Sequence, residues 1–462
     1  MQWQSRVRAF CGLICASLAA CSVGTPYRRP EIPLPQQWNA PDSQPAVWPD
    51  SDWWHGFGSA RLNELITQAQ QSNDDLAGAI ARVQEADAQL RIAGAPLLPS
   101  VDLGATATRE RASLSTGGLG EYNVFNPVLS ASYELDFWGK NRAARDAARA
   151  AAVASRYDQQ TVALTVVSSV ASTYFQALEL RDRLQVARQN LENGEKILRG
   201  LSFEQDVGTA TGLDVAQQAT VVALLYAAIP PLEQQFKQTV YALAVLIGRT
   251  PESIDVNDGT LTALTAPPVV AGLPSKILTR RPDVAEAEQQ LIAANADITV
   301  ARAELFPTIA LTVSGGYESS VLSSLVSPVN RVYGLSAGLT QPIFRGGALR
   351  GELAYTKARY TELASIYHKT VLTALSNVEG ALVAARQTAD QEERQADAVA
   401  KAKRAYEFAQ AQMAAGTVNI LTVLNTENAL FSAQDTLVQV QYSHLQALVD
   451  LFTALGGGWQ QG

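Results

Sequence analysis

Two kinds of hydrophobic patterning alternate along this chain. Stretches of about ten residues place apolar side chains at every second position, the period of a half-buried strand. In "VLSASYELDF", Leu129, Ala131, Tyr133, Leu135 and Phe137 share one face, while Ser130, Ser132, Glu134 and Asp136 share the other. "VDLGATAT", "TIALTV" and "YGLSAGLT" alternate similarly, and Gly- and Ser-rich connectors such as "SLSTGGLGEYN" join the strands in pairs. Elsewhere the spacing is helical: Leu76, Ile80, Val83 and Leu90 fall on one face, and "DVAEAEQQLIAANADITVARAEL" repeats the design. Pro99 and Pro307 end these helices, because proline removes a donor and clashes with the preceding turn. From Asn141 to Phe203, and from Gly347 to Ala414, no proline intervenes and alanine is frequent. Each segment predicts a helix on the order of 90–100 Å long at 1.5 Å per residue. After Gly208 and Gly416 a further helix of about 35 to 40 residues returns, kinked in the first case at Pro230-Pro231.

The order of these elements recurs. "GTATGLDVAQQA" from Gly208 matches "GTVNILTVLNTE" from Gly416, with Gly, Thr, Leu and Val in the same places. The same offset relates Pro99 to Pro307 and Gly248 to Gly456, so the chain is a duplicated unit of roughly 200 residues. The expected organisation is residues 1–20 as a lipoprotein signal peptide and 21–60 as a lipid-anchored, Pro-rich tether. Residues 61–250 form the first repeat, 251–274 a linker, 275–457 the second repeat and 458–462 a tail.

Composition is most informative at the amino terminus. All three cysteines, Cys11, Cys15 and Cys21, lie in the first 21 of 462 residues. The apolar run Val7–Ala20 behind Arg6 and Arg8 is shorter than the ~20 residues a membrane-spanning helix needs. No histidine or further cysteine stands near Cys11 and Cys15 to complete a metal site. A charged front, a brief apolar centre and small residues before a cut site describe a secretory signal. Leu18-Ala19-Ala20-Cys21 resembles the bacterial lipobox, which implies lipidation at Cys21, and Ser22 after it implies sorting to the outer membrane. Loss of the signal leaves 34 basic and 44 acidic residues, a balance that excludes nucleic acid as a partner. Seven prolines between Pro26 and Pro49 make the following segment an extended tether.

Geometry then demands partners. Strands of about ten residues fit a membrane barrel, yet four of them cannot close one, since the smallest membrane barrels have eight. Open edges in lipid cost several kcal/mol per unpaired backbone group, so the strands are expected to pair with those of other chains. Helices of that length likewise need copies of themselves to pack against.

The motifs carry a resemblance at this point. "PYRRP", "DWWHGFGSARLNELITQAQQSNDDLAGAIARVQEADAQL", "YELDFWGKNRAARDAA", "TRRPDVAEAEQQLIAANADITVARAELFP" and "LTQPIFRGGALRGEL" are similar to the outer-membrane efflux protein family, the TolC-like channels, in its NodT-type lipoprotein branch. The resemblance covers essentially the whole mature chain. It implies an α+β membrane protein: a homotrimer whose 12-stranded outer-membrane β-barrel continues into an α-helical periplasmic tunnel. It also implies a periplasmic adaptor and an inner-membrane transporter of the resistance–nodulation–division class as partners, with outer-membrane lipid around the barrel and no cofactor. The implied periplasmic tip comprises Gly208, Thr209, Ala210, Thr211, Gly212 and Leu213, with Gly416, Thr417, Val418, Asn419 and Ile420. The implied gate comprises Asp214, Leu421, Thr422 and Asn425. Asp214 matches the family's acid in the first repeat, whereas Thr422 and Asn425 stand where members often carry acids and Val418 where some carry a base. Closure is therefore expected to rest on Thr422, Asn425 and apolar packing around Leu421. Export of metals, protein secretion, or a non-conducting structural lipoprotein are the alternatives.

Catalytic readings fare poorly. Gly334-Leu335-Ser336-Ala337-Gly338 spells the nucleophile-elbow pattern, but strand alternation continues past it where the elbow requires a turn. "GGALRGEL" lacks the Lys-Ser/Thr of a phosphate loop. His55, His368 and His444 are not at ligand spacing, Glu134 and Asp136 read as solvated lumen charges, and Trp53-Trp54 as packing.

Overall fold

A computed structural model describes residues 23–39, 47–111, 120–269, 271–272 and 274–460. The signal segment and Cys21 lie outside the described residues. Two compact units are formed. One contains the described residues up to Glu31 with Arg82–Arg156 and Glu286–His368; the other contains the rest.

The two repeats have matching elements. The first runs α1 (Ala60–Ser72), α2 (Asp74–Gly94), β1 (Ser100–Arg111), β2 (Glu121–Glu134), α3 (Lys140–Asp206) and α4 (Gly212–Leu246). The second runs α5 (Pro282–Ala303), β3 (Thr308–Tyr317), β4 (Arg331–Thr340), α6 (Ala348–Ala414) and α7 (Ile420–Ala454). The long helices α3 and α6 each have 67 residues, and the returning helices α4 and α7 each have 35. Helix α4 continues through Pro230 and Pro231. The helix expected through Leu76 and Leu90 is α2, and a separate helix, α1, precedes it; the Asn73 side chain between them accepts from Leu76 N–H at 2.9 Å and donates to the Leu246 carbonyl at 2.9 Å. Asn73 thus caps α2, which is why the chain breaks there.

In the first unit the strands form one antiparallel sheet in the order β1-β2-β3-β4. Its register aligns Val101, Ala131, Val313 and Leu335 across one face, and Leu103, Leu129, Gly315 and Tyr333 beside them. The opposite face aligns Ser100, Ser132, Thr312 and Ser336, then Asp102, Ser130, Ser314 and Gly334. The apolar face is uncovered: Tyr333 is 93% and Leu335 80% exposed. Strands β1 and β4 are open edges within the chain.

The pairing of β2 ends at Glu134, three residues before the alternating sequence does. Asp136 is not a lumen charge on the strand. Its carboxylate accepts the N–H groups of Asn141 and Arg142, each at 2.9 Å, and the Arg142 guanidinium at 3.0 Å. It therefore starts α3, with Gly139 in the left-handed region completing the turn. Glu134, on the polar face, pairs with Lys140 at 2.6 Å and stays part-exposed. Before the sheet, residues 23–29 run along α5. The Arg302 guanidinium donates to the Val23 carbonyl at 2.6 Å, Asn295 to Thr25 at 3.1 Å, and Arg29 forms a two-bonded ion pair with buried Glu288. The Val23 N–H reaches the Trp138 carbonyl at 3.5 Å, and Trp138 stacks on Phe306 at 4.7 Å where strands pass into helices.

The second unit has an apolar core in which α1 and α3 pack with α4 and α7. Phe57, Leu62, Leu65, Phe175, Leu178, Leu243 and Phe452 are all buried there. Trp53 and Trp54 belong to this core, and Trp53 stacks on Phe452 at 5.0 Å. A second cluster lies near the helical turns, built from Leu201, Tyr406, Ile420, Val423, Leu424, Leu430 and Phe431.

Candidate functional site

Each long helix reverses in a turn made by local chemistry alone. Gly208 has φ 82° and Gly416 φ 70°, a conformation that alanine would adopt only with strain. The N–H groups of Thr209 and Thr417 reach back to the carbonyls of Glu204 and Gln412, at 2.8 and 2.9 Å. The hydroxyls of the same threonines bond those carbonyls at 3.0 Å in both cases. These bonds satisfy helix-end carbonyls and tighten both turns identically.

The returning helices start differently. In the first repeat Asp214 N–H donates to the Thr211 hydroxyl oxygen at 3.3 Å, and the Asp214 carboxylate accepts from Thr211 N–H at 2.8 Å. This is a reciprocal cap. The Thr211 side chain and N–H hold the Asp214 acid below the usual carboxylate range. In the second repeat Asn419 is the cap, accepting from Thr422 N–H and from the Thr422 hydroxyl, both at 3.2 Å. Asn419 thus supplies the acceptor that starts α7, with Thr422 as its donor in place of the reciprocal acid.

Around these caps Gly208, Thr209, Thr211, Gly212, Leu213, Gly416, Thr417 and Asn419 are exposed, while Ala210 and Val418 are half-buried. Leu213 is 65% exposed and Leu421 49%, each projecting an apolar side chain beside its turn. Thr422 and Asn425 are also exposed on the first two turns of α7. Ile420 differs: it is buried with Val423 and Leu424 against Leu201 and Tyr406, so its side chain is no part of the turn's surface.

One group in this region escaped the sequence reading. Glu427 on α7 is fully buried, and neither carboxylate oxygen completes a hydrogen bond. Burial pushes its acid up to about 7, the Gln218 amide alongside working in the opposite direction. Gln218, itself buried, donates to the Gly194 carbonyl at 2.9 Å. Burial and the charge of Glu427 together push the Tyr406 phenol up to about 12. The signal was present in the sequence: Glu427 falls at helical spacing between Val423, Leu424, Leu430 and Phe431, a charge written into an apolar stripe. The elbow-like Ser336 lies in β4 opposite Thr312, within regular pairing.

The family model for outer membrane efflux proteins matches residues 65–249 and 273–457. The pyoverdine export outer membrane protein OpmQ of Pseudomonas putida is 40% identical over 453 residues, 96% of each chain. The cation efflux system protein CusC of Escherichia coli O6:H1 is 31% identical over 98% of each chain. Among solved structures, the outer-membrane channel OprN superposes with a TM-score of 0.90 at 27% identity, over 96% of this chain and all of that one. The four-stranded sheet, with its apolar and polar faces and open edges, is one protomer's share of a trimeric barrel, and the paired helices its share of a helical tunnel. Matched in both repeats and nearly end to end with its relatives, the chain belongs to the outer membrane efflux protein family.

Proposed function

We propose that the chain is the exit duct of a tripartite efflux assembly, conducting passively what an inner-membrane transporter of the resistance–nodulation–division class delivers through a periplasmic adaptor. One observation carries this reading: the sheet has a lipid-ready face, a polar face, and two edges that only further copies can pair. The polar face, bearing Asp102, Ser130, Ser132 and Ser336, then lines a wetted lumen. The exposed turns at Gly208–Leu213 and Gly416–Asn419 are the surface offered to the adaptor. Leu421, Thr422, Asn425 and the capped Asp214 form the constriction, which closes by apolar packing and neutral polar groups.

The amino-terminal strap supports the proposed anchor. Val23, two residues after Cys21 in sequence, is held at the strand-to-helix junction by its N–H bond to the Trp138 carbonyl. A lipidated Cys21 would therefore enter the bilayer beside the barrel. The intact mass of the mature protein, bearing acyl chains on residue 21, checks this. An unmodified terminus at any other residue overturns it.

Recordings from purified protein in planar bilayers test the duct. Wild type is expected to form pores, and Leu421→Ser and Asn425→Ala to raise single-channel conductance. Folded trimers without pores overturn the duct; unchanged conductance in both variants overturns the gate.

A further inference from the structure

The outer end of the sheet, away from the helices, sorts its charges by face. On β1 the outward, apolar face continues from Val101, Leu103, Ala105 and Ala107 into Arg109 and Arg111. On β4 it runs from Leu339 through Leu335 and Tyr333 to Arg331. Glu121, opposite Arg111, is the acid on this face, and it accepts from Arg109 at 2.8 Å. Glu110 and Glu318 lie on the other face, bonded to Tyr122 and Asn126. Cations therefore exceed anions on the outward face, and the inward face has the reverse balance.

The spacing is the same on both edges. Arg109 lies eight residues from Val101, and Arg331 eight from Leu339, a run of about 26 Å along a strand at 3.3 Å per residue. At a tilt of about 40° this spans roughly 20 Å of an apolar band about 25 Å tall, a shortfall that snorkelling arginine stems make up. The guanidinium groups thus arrive at the headgroup level of the outer leaflet.

We propose that Arg109, Arg111 and Arg331 bind the phosphates of an anionic glycolipid of the outer leaflet, in a site completed between protomers. The site rests on the trimeric reading, because β1 and β4 are the two open edges and closure sets β4 of one protomer beside β1 of the next. Planar guanidinium groups suit phosphate, which accepts two parallel N–H bonds from each. Glu121 neutralises one arginine, and the others leave net positive charge facing the lipid.

The test uses full-length protein in neutral detergent, with its mass in solution measured first. Purified bisphosphorylated lipid A and the same lipid with both phosphates removed are titrated, and lipid retained per trimer is read by native mass spectrometry. Wild type is expected to hold the phosphorylated lipid about a hundredfold more tightly than the variant Arg109→Gln/Arg111→Gln/Arg331→Gln, and the dephosphorylated lipid no better than the variant does. Glu110→Gln/Glu318→Gln, on the inner face, is expected to bind as wild type. Equal retention of both lipids by wild type overturns the proposal without any variant having to fold. Wild type that is monomeric overturns the junctional site and the trimer with it. A trimer indifferent to phosphate overturns the site alone.

Discussion

Gly456→Ala is expected to lower stability by about 2–5 kcal/mol, read as a fall in the thermal midpoint of the helical signal. Gly456 has φ 90°, and an added Cβ would overlap the backbone carbonyl of Arg280, just before α5. Two costs combine: the left-handed conformation, at about 1–2 kcal/mol for alanine, and the displacement of close-packed backbone, at about 1–3 kcal/mol. The site has an internal duplicate. Gly248, at φ 67°, would drive its Cβ into the Ser72 carbonyl, just before α2, and Gly248→Ala should behave alike. Both glycines close the helix that returns from a turn and seat its end on the entry to the next helix. Gly347→Ala is the control, since Gly347 has φ 88° but no atom within 4 Å of the added carbon. It should cost only the conformational part. A Gly456→Ala protein no less stable than Gly347→Ala would sink the close-approach argument.

Glu427→Gln should flatten the pH dependence of the helical tip's stability. In the folded chain the acid titrates near 7, against an ordinary value of 4.5. The folded state therefore holds this proton more tightly than the unfolded state, and stability falls as pH rises from about 4.5 to about 7, then levels off. The fall is about 3–4 kcal/mol at 1.36 kcal/mol per pH unit. Glutamine is neutral throughout, so the variant should exceed wild type in stability at pH 8 and lose this slope. Wild type and variant with parallel stability curves between pH 5 and 8 would refute the assignment.

Much of this architecture was legible because its elements are written in unmixed periods. A period of two in "VLSASYEL" fixes both the strand and its apolar face, and register merely extends that face across β1 to β4. Unbroken alanine-rich segments similarly bounded α3 and α6 to within a few residues. The misses have local causes. Alternation ran on to Phe137, yet Asp136 serves α3 as a helix-end acceptor, and a capping carboxylate looks the same in sequence as a lumen charge. The cap at Asn73 sets where α2 starts, which hydrophobic spacing cannot show, because capping depends on one side chain rather than on period. At the turns, the residues could be located by the repeated "GT" but not their orientations. Ile420 and Leu421 are adjacent and equally apolar, and only helix phase turns one inward and leaves the other beside the turn.

The two open edges of the sheet have a consequence for inheritance. Each chain must lend β1 to one neighbour and β4 to the other, so a single copy faulty at either edge leaves the ring unclosed. An allele that folds but cannot close would therefore poison its wild-type siblings. If half the chains in a cell were of this kind and mixing were random, only about one eighth of trimers would be wholly sound. Loss of the protein would be recessive in a cell carrying both alleles, whereas damage confined to an edge strand would be dominant.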